Sequence, residues 1–207
     1  MSHHTSFEMS FANKRLLYRA MRNLGWEPEN RVWTQYKNEF TKSINIGGTT
    51  LGKLLTGTVG VINVFFTETE NGFQANFESS QLSPTALESQ GLKLLSILKS
   101  KYVQVAVEQL AADMRDKGIS ILMEMTEHDN YTAYVLSIDN TDRTIHISVD
   151  EMGNVEEKIE GVAGRSCADL TQSLETMLGI SSTAQRTWTH EYDSIIEDQV
   201  IQVMRLN

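Results

Sequence analysis

The chain of 207 residues contains a single cysteine, Cys167, and only two prolines. One cysteine cannot form a disulfide within the chain, which excludes the disulfide framework of small secreted domains and suits a reducing compartment. No apolar run approaches the roughly 20 residues that a membrane-spanning helix needs. The N-terminus also lacks the charged start and apolar core of a signal peptide. We therefore expect a cytoplasmic protein.

The composition is that of a globular protein, with 40% hydrophobic and 22% charged residues. A chain of this length can bury a core without help from metals or disulfides. The net charge of −9 argues against nonspecific binding to a nucleic-acid backbone, because like charges repel at long range.

The charge is distributed unevenly along the chain. Residues 1–60 contain eight Lys/Arg and four Glu, a net charge of +4, whereas the remainder contains ten Lys/Arg and 23 Asp/Glu, a net charge of −13. Such asymmetry often accompanies a partner of complementary charge, although two ordinary solvated faces would give the same pattern.

The first 60 residues predict one strand and one helix. "SFEMSF" alternates apolar and polar residues, which predicts a short strand, and "NKRLLYRAMRNLGW" has apolar residues at helical spacing. Asn13 can cap the helix and Gly25 can end it. The segment from Glu27 to Thr56 has weak periodicity, and we expect a loop with at most one weak strand.

The central region predicts a hairpin, a helix and two further strands. Asn71-Gly72 joins two β-rich runs, a strong hairpin signal. An apolar stripe then predicts a helix over residues 85–117, either continuous or broken near Ser100, which Gly118 ends. Two strands should flank His128-Asp129-Asn130. The stripe comprises Leu87, Leu94, Leu95, Leu98, Tyr102, Val105, Ala106 and Leu110.

The C-terminal region predicts a compact ββα unit. Ile145, Ile147 and Val149 share one face of a strand, and Val155 and Ile159 share one face of the next. We predict an α+β fold with a mainly antiparallel sheet and helices on one face. The first five elements are compatible with a ferredoxin-like arrangement. We divide the chain into an α+β domain, residues 1–140, and a ββα module with a tail, residues 141–207, packed on the first.

The stretch "INIGGTTLGKLL" has nearly the spacing of a nucleotide-binding phosphate loop. Such a loop needs Ser or Thr after its lysine, a buried strand before it and a helix after it. Here Leu54 follows Lys53, and the downstream "LTGTVG" is rich in glycine. We therefore interpret Gly47 to Leu55 as a flexible loop.

Cys167 is the only candidate for a catalytic residue. Ser166 and Asp169 fit a capping box, which places Cys167 in the first turn of a helix, where the helix dipole can lower a thiol pKa. No His or Asn is identifiable as its base, and a cysteine at a helix start is commonly a packing residue. Both interpretations remain open.

The other titratable residues predict no metal site or acid/base pair. His3 and His4 lie at a terminus that we expect to be loose, His146 lies on the polar face of a strand, and "THEYD" is too extended to chelate. We expect an acidic cluster around the C-terminal hairpin to be solvated surface; it comprises Asp150, Glu151, Glu156, Glu157 and Glu160.

Arg15, Arg19 and Arg22 follow the i, i+4, i+7 spacing of one helix face. A row of arginines can bind an acidic partner or a phosphate backbone. An ordinary surface helix has the same appearance, so partner binding at this row is a hypothesis.

Two segments resemble known families. "MSHHTSF" with "LLYRAMRNLGW" resembles the start of the uncharacterised chloroplast open-reading-frame-thirty-five family of plastids, cyanobacteria and some phages. "RTIHISVDEMGNVEEKIEGVAGRSCADLTQSLETMLG" is similar to a small uncharacterised ββα family that carries a glycine turn and a passage matched here by Gly161, Gly164 and Cys167. Relatives of the two halves tend to be encoded as neighbours, sometimes close to AAA-type ATPases or ferredoxins. The resemblance transfers no catalytic residue and implies a two-part accessory unit.

We therefore expect a non-enzymatic adaptor that binds another protein, such as an AAA-type ATPase or a redox carrier, without a cofactor. One alternative is a thiol-dependent enzyme or redox sensor that uses Cys167. The other is a nucleic-acid-binding protein that uses the basic first helix.

Overall fold

The computed structural model describes residues 3–8, 10–26, 28–32, 42–46, 62–70, 72–79, 82–161, 166–179 and 185–188. Within these ranges lie ten strands and three helices. In chain order they are β1 (His3–Glu8), α1 (Lys14–Asn23), β2 (Pro28–Val32), β3 (Lys42–Ile46), β4 (Asn63–Thr69), β5 (Gly72–Glu78), α2 (Pro84–Asp116), β6 (Ile121–Glu127), β7 (Tyr131–Ile138), β8 (Thr144–Asp150), β9 (Asn154–Glu160), α3 (Ser166–Leu178) and β10 (Gln185–Trp188).

Six strands form an antiparallel sheet in the order β10-β1-β9-β8-β7-β6. Along β8 and β9 buried residues alternate with more exposed ones, as expected when one face packs against helices and the other faces solvent. Ile145, Ile147, Val149, Val155 and Ile159 all lie on the buried face. The prediction of an antiparallel α+β fold with a C-terminal ββα unit is confirmed.

The other four strands form a second antiparallel sheet in the order β2-β3-β4-β5. The expectation of at most one weak strand between Glu27 and Thr56 was wrong, because β2 and β3 both lie there and pair with each other. Short strands of this kind depend on a neighbouring strand for their hydrogen bonds, a relation that periodicity within one segment does not reveal.

The first five predicted elements do not form a ferredoxin-like unit. In that arrangement β1 would share a sheet with the β4–β5 hairpin, but β1 instead lies between β9 and β10 in the six-stranded sheet. The strand containing His3 and His4 is therefore paired on both sides, and the expectation of a loose terminus there was wrong.

Helix α1 begins and ends where the sequence predicts. The Asn13 side chain accepts hydrogen bonds from the backbone N–H groups of Arg15 and Leu16, at 3.0 and 3.3 Å, and so caps the first turn. Gly25 follows the helix with φ of 74°, a left-handed conformation that glycine adopts without strain.

Helix α2 is continuous over 33 residues and is not broken near Ser100. Ser83 caps its start and Pro84 occupies the first turn, where the missing N–H is not needed. Gly91 lets the helix approach β5 closely, because a Cβ added there would lie 3.0 Å from the Phe77 ring. The predicted apolar stripe is confirmed as buried or partly buried along the whole length of α2.

Tyr102, near the middle of α2, connects all three helices. Its hydroxyl accepts a hydrogen bond from the Asn13 N–H at 2.8 Å and donates one to the Met177 carbonyl at 2.6 Å. Burial raises the pKa of Tyr102 to about 12, and backbone hydrogen bonds from Asn13 and Ala12 oppose that rise. The hydroxyl is therefore neutral at physiological pH and acts as a structural hydrogen-bonding group.

Strands from both predicted domains share one sheet. β7 and β8 pair across residue 140, and β1 pairs with β9. A single cluster of buried residues includes Phe66 of the four-stranded sheet, Tyr102 of α2 and Ile145 of the six-stranded sheet. The division at residue 140 stays a prediction.

Candidate functional site

The hairpin cleft is an open cavity of about 330 Å³ between the middle of α2 and the turns of the two C-terminal hairpins. Ile97, Ser100, Lys101 and Gln104 of α2 form one wall. The opposite wall consists of the β6–β7 turn with its flanking residues and of the end of β8; it includes Met125, Glu127, His128, Asp129, Tyr131 and Asp150.

The helix cleft, about 470 Å³, continues from the hairpin cleft toward the start of α2. Leu92 and Leu95 line it from the helix, and Met152 lines it from the β8–β9 turn. The two clefts share Ile97 and Glu151, so they form one surface, which we call the groove.

The groove concentrates the exposed apolar side chains of the described residues. Six large hydrophobic side chains in that part of the chain are between 37% and 67% exposed, and five of them line the groove: Leu92, Ile97, Met125, Tyr131 and Met152. The sixth, Leu122, lines neither cleft. Contiguous exposed apolar surface is costly in water and commonly marks an interaction site.

The rim of the hairpin cleft is mainly acidic. Glu127, Asp129, Asp150 and Glu151 line the hairpin cleft, and Lys101 is the cation that lines it. The Lys101 ammonium donates a hydrogen bond to the Gln104 side chain at 2.7 Å. In the helix cleft, Lys93 and Lys99 accompany Glu151. The hairpin cleft is therefore the more negative of the two and is suited to a cationic side chain.

Asp150 fixes the β8–β9 turn that carries Met152. Its Oδ1 accepts hydrogen bonds from the N–H groups of Met152 and Asn154, each at 2.8 Å, and its Oδ2 accepts one from the Asn154 amide at 2.7 Å. Burial alone would raise the pKa of Asp150, but these hydrogen bonds outweigh burial and lower the pKa below its usual value. The turn also contacts α2, because the Lys99 ammonium donates to the Met152 carbonyl at 2.5 Å.

At the β6–β7 turn, His128 and Tyr131 form a stacked pair with ring centroids 4.3 Å apart. The His128 N–H donates to the Tyr131 carbonyl at 2.9 Å, which closes the turn. The prediction of two strands around this turn is confirmed. The stack presents a flat aromatic surface to the groove.

Tyr134 lies beneath the groove and is almost fully buried. Burial raises the pKa of its hydroxyl, and the negative charges of Glu108 and Glu127 raise it further. The hydroxyl therefore stays protonated at neutral pH, so Tyr134 is not a candidate general base.

The predicted arginine row lies on the exposed face of α1, and none of its three residues lines the groove. Arg15, Arg19 and Arg22 are all exposed. Arg19 pairs with Glu108 of α2, with 2.7 Å between Nη2 and Oε2. One of the three charges thus has a carboxylate partner within the chain, and partner binding at this row stays a prediction.

Cys167 is the second residue of α3, as the capping signal indicates, so its backbone lies in the first helical turn. Its side chain lies outside the described part of the structure, and its reactivity stays a prediction.

The acidic cluster divides into surface and core residues. Glu151 and Glu156 are exposed as expected, but Glu157 is fully buried on the inner face of β9 between Val155 and Ile159. The interpretation of Glu157 as solvated surface was therefore wrong. Its position follows from the two-residue period of a strand, which places residues 155, 157 and 159 on the same face.

The remaining signals give no further site. His146 lies on the outer face of β8, as predicted, with its Nε2 3.5 Å from Glu160 Oε2. Residues Gly47 to Leu55 and the "THEYD" segment lie outside the described residues. Within the described ranges, no three His, Cys, Asp or Glu side chains gather as metal ligands would. The described helices include none with the length and apolar character of a bilayer span.

Comparison with known protein families gives a match over the C-terminal part of the chain. Residues 145–193 match a family described as Protein of unknown function (DUF2997), which supports an uncharacterised small domain at the C-terminal end. No curated protein matches the chain.

Two solved structures are similar at low level. One is a conserved hypothetical protein from Pyrococcus furiosus, 10% identical, with 88% of this chain and 93% of that chain covered and a TM-score of 0.16. The other is the PH1012 protein from Pyrococcus horikoshii, 10% identical, with 88% and 92% covered and a TM-score of 0.15. At these TM-scores neither likeness carries an argument about fold or function.

Proposed function

We propose that the protein is a non-enzymatic binding module whose groove holds a segment of a partner protein with apolar and basic side chains. The observation that carries this proposal is the gathering of five of the six exposed large apolar side chains in two adjoining clefts. Covering solvent-exposed leucine and methionine side chains with a partner lowers the free energy of the complex.

The chemistry of the partner follows from the rim. Apolar side chains of the partner would fill the helix cleft against Leu92 and Met152, which lie in its walls. A lysine or arginine side chain would lie in the hairpin cleft, which Glu127 and Asp129 line together with the stacked His128 and Tyr131. Carboxylates and aromatic faces both attract a cationic side chain.

The cellular role is part of the same proposal. A cytoplasmic adaptor for an AAA-type ATPase or a redox carrier fits the resemblance of the N-terminal segment to the chloroplast open-reading-frame-thirty-five family. The partner would then present a basic, apolar segment to the groove.

The experiment compares the binding of groove variants to a partner captured by the tagged full-length protein from its host. Leu92→Glu and Met152→Glu each place a charge in the apolar part of the groove, and we expect each to weaken binding by at least about tenfold, as for a residue near an interface centre. Gln74→Glu is the matched control, because Gln74 is exposed on β5 and lines neither cleft. A captured protein that binds all three variants equally well would contradict the proposal.

The two alternatives have separate tests. A thiol-dependent function requires loss of activity in Cys167→Ser together with a depressed thiol pKa in titration. Nucleic-acid binding at α1 requires retention on DNA or RNA that decreases with salt and disappears when Arg15, Arg19 and Arg22 are reversed in charge.

A further inference from the structure

Among the strands that the structure describes, β6 lies at one edge of the six-stranded sheet with β7 as its neighbour, and we call its other side the open edge. It is seven residues long, and its sequence, ILMEMTE, contains no proline, lysine or glycine. Edge strands are usually very short or carry proline or charged residues, above all lysine, because unpaired backbone groups attract other strands. β10 has four residues, and β2 begins with Pro28 and contains Arg31. β6 has seven residues with Glu124 and Glu127 as its charged residues, and β5, the fourth edge strand of the described sheets, has seven residues and ends with Glu78.

The hydrogen bonds beside β6 show which of its backbone groups face outward. The Asp139 N–H donates to the Ser120 carbonyl, and the His128 N–H donates to the Tyr131 carbonyl. The backbone N–H and carbonyl groups of the even-numbered residues of β6 therefore point toward β7. In an antiparallel pair the backbone groups of successive residues point alternately toward and away from the neighbouring strand, so those of the odd-numbered residues of β6 point away from β7. The Ile121 carbonyl accepts from Arg115 at 3.0 Å. The N–H and carbonyl groups of Met123, Met125 and Glu127 therefore face the open edge.

The side chains of β6 fall on two faces. Met125 and Glu127 line the hairpin cleft, so the open edge of the sheet is continuous with the groove. Leu122, Glu124 and Thr126 alternate with them on the opposite face, and all three are exposed. A strand added beside β6 would therefore pack one row of its side chains at the hairpin cleft and the other row beside Leu122 and Glu124.

The charge of this edge selects the added strand. Glu124 and Glu127 give β6 two negative charges and no positive one, and the chain as a whole carries −9. A second copy of the chain, or any acidic segment, would meet repulsion, whereas lysine or arginine opposite Glu124 would form a favourable cross-strand pair.

We infer that β6 binds an extended, basic segment of the partner by strand addition. In such a segment apolar and basic residues would alternate, so that each kind lies on one face of the added strand. The inference rests on the proposed function and specifies it further, since it gives the bound segment a conformation. Backbone hydrogen bonds would supply affinity and the two rows of side chains would supply specificity.

The first experiment titrates the ¹⁵N-labelled full-length protein with a capped peptide of alternating valine and lysine, equal in length to β6. Valine would pack on Met123 and Met125, and lysine would lie opposite Glu124. We expect the amide signals of Met123, Met125 and Glu127 to shift and to gain protection from hydrogen exchange, with saturation at or below about 1 mM. The signals of Leu122 and Glu124 should keep the protection that pairing with β7 already gives.

Two matched probes test the backbone and charge arguments. A peptide of the same sequence with N-methylated valines lacks every second N–H and should bind at least about tenfold more weakly. A peptide with glutamate in place of lysine should bind more weakly because its charge is repelled. For the same electrostatic reason, the binding of the valine–lysine peptide should weaken at high salt.

A substitution in the protein separates backbone from side chain. Met125→Pro removes an outward N–H that does not bond to β7, and an edge strand tolerates proline at such a position. The substitution should weaken binding of the valine–lysine peptide by at least about tenfold. Met125→Ala keeps the N–H and should weaken binding of the same peptide by no more than about threefold. If Met125→Pro fails to fold, the N-methylated peptide still tests strand addition, through the hydrogen bonds that the peptide N–H groups donate to the outward carbonyls of β6.

Three results would overturn the inference. The first is no change at the three outward amides up to about 1 mM peptide. The second is equal binding of the N-methylated peptide, with shifts only at groove residues such as Ile97 and Tyr131, which would leave the proposed function in place. The third is protection of the same amides by concentrated protein alone, which would identify a second copy of the chain as the occupant.

Discussion

The two halves of α2 contain similar apolar residues but meet different surroundings. From Tyr102 to Met114 the buried residues include Val103, Val105 and Val107, so the helix is enclosed on several sides. From Pro84 to Ser100 the buried residues lie on one side, while Leu92 and Ile97 are exposed. The same helix is thus mainly a core element over its second half and forms most of one wall of the groove over its first half, with Gln104 lining the groove from the second half.

This difference shows that the apolar character of a helix residue does not settle whether it serves stability or binding. Leu98 and Ile97 are neighbours, yet Leu98 is buried and Ile97 is exposed. Burial in the second half should appear in the free energy of unfolding, whereas exposure in the first half should appear in binding.

We expect the largest difference when leucine is replaced by alanine in each half of α2 and the free energy of unfolding is measured. Leu110→Ala, in the second half, removes a buried side chain and should lower the free energy of unfolding by about 2–5 kcal/mol. Leu92→Ala, in the first half, should change it by less than about 0.5 kcal/mol. Urea unfolding followed by circular dichroism measures both, and equal losses would remove the distinction between the halves.

Tyr102→Phe should have the next largest effect. It removes the hydroxyl that joins Asn13 to Met177 and leaves a partly buried N–H and a buried carbonyl without that partner, so we expect a loss of about 1–3 kcal/mol. The same urea measurement applies. Tyr131→Phe, at a tyrosine that is exposed at the start of β7, is the control and should change stability little.

The enclosed half should also impose a pH dependence. The pKa of Tyr102 is about 12 in the folded chain and 10.0 ordinarily, so the unfolded chain loses its proton first as the pH rises. The stability linked to this group is complete below pH 10 and is lost between pH 10 and about 12, by roughly 2–3 kcal/mol. Tyr102→Phe should make the alkaline decline in melting temperature shallower. An identical decline in the variant would contradict this assignment.

A smaller effect concerns the turn that faces the first half. Asp150→Ala removes three hydrogen bonds that hold Met152 beside α2 and should cost about 0.5–1.5 kcal/mol near neutral pH. Because the pKa of Asp150 is lowered in the folded chain, this stability is present above the usual value of 3.8 and is lost as the pH falls through the folded value. Glu151→Ala on the same turn should lack the effect at either pH. Thermal unfolding at neutral and acidic pH tests both.

The smallest effect concerns the exposed side of the second half. Arg19 and Glu108 form an ion pair in contact with solvent, so Arg19→Ala should cost about 0.2–1 kcal/mol, and the cost should shrink in high salt. Arg22→Ala is the control. A cost well above that range would show that even the exposed contacts of this half support the fold strongly.

Much of the fold follows from short-range signals in the sequence. The Asn13 cap, the α2 stripe and the ββα unit depend on residues close together in the chain, and each is confirmed. The insertion of β1 between β9 and β10 and the pairing of β2 with β3 depend on distant partners, so local periodicity could not reveal them.

The groove was missed for a related reason. Leu92 and Ile97 lie off the predicted stripe of α2, which was a usable signal. Met125 lies in β6 and Met152 in the β8–β9 turn, and only the folded chain brings these two elements beside the helix. Glu157 carried a clear signal, because it lies two residues from both Val155 and Ile159, and the abundance of neighbouring acids obscured it.

The most direct test of the account places a photo-crosslinking amino acid at Ile97, inside the groove, or at Gln74, an exposed position outside it. After irradiation in host cells, we predict one main adduct from Ile97, with the crosslink in a basic and apolar segment of a single partner protein, and no such adduct from Gln74. Equal labelling from both positions, or none from Ile97 while the protein is folded, would contradict the claim that the groove is a binding surface.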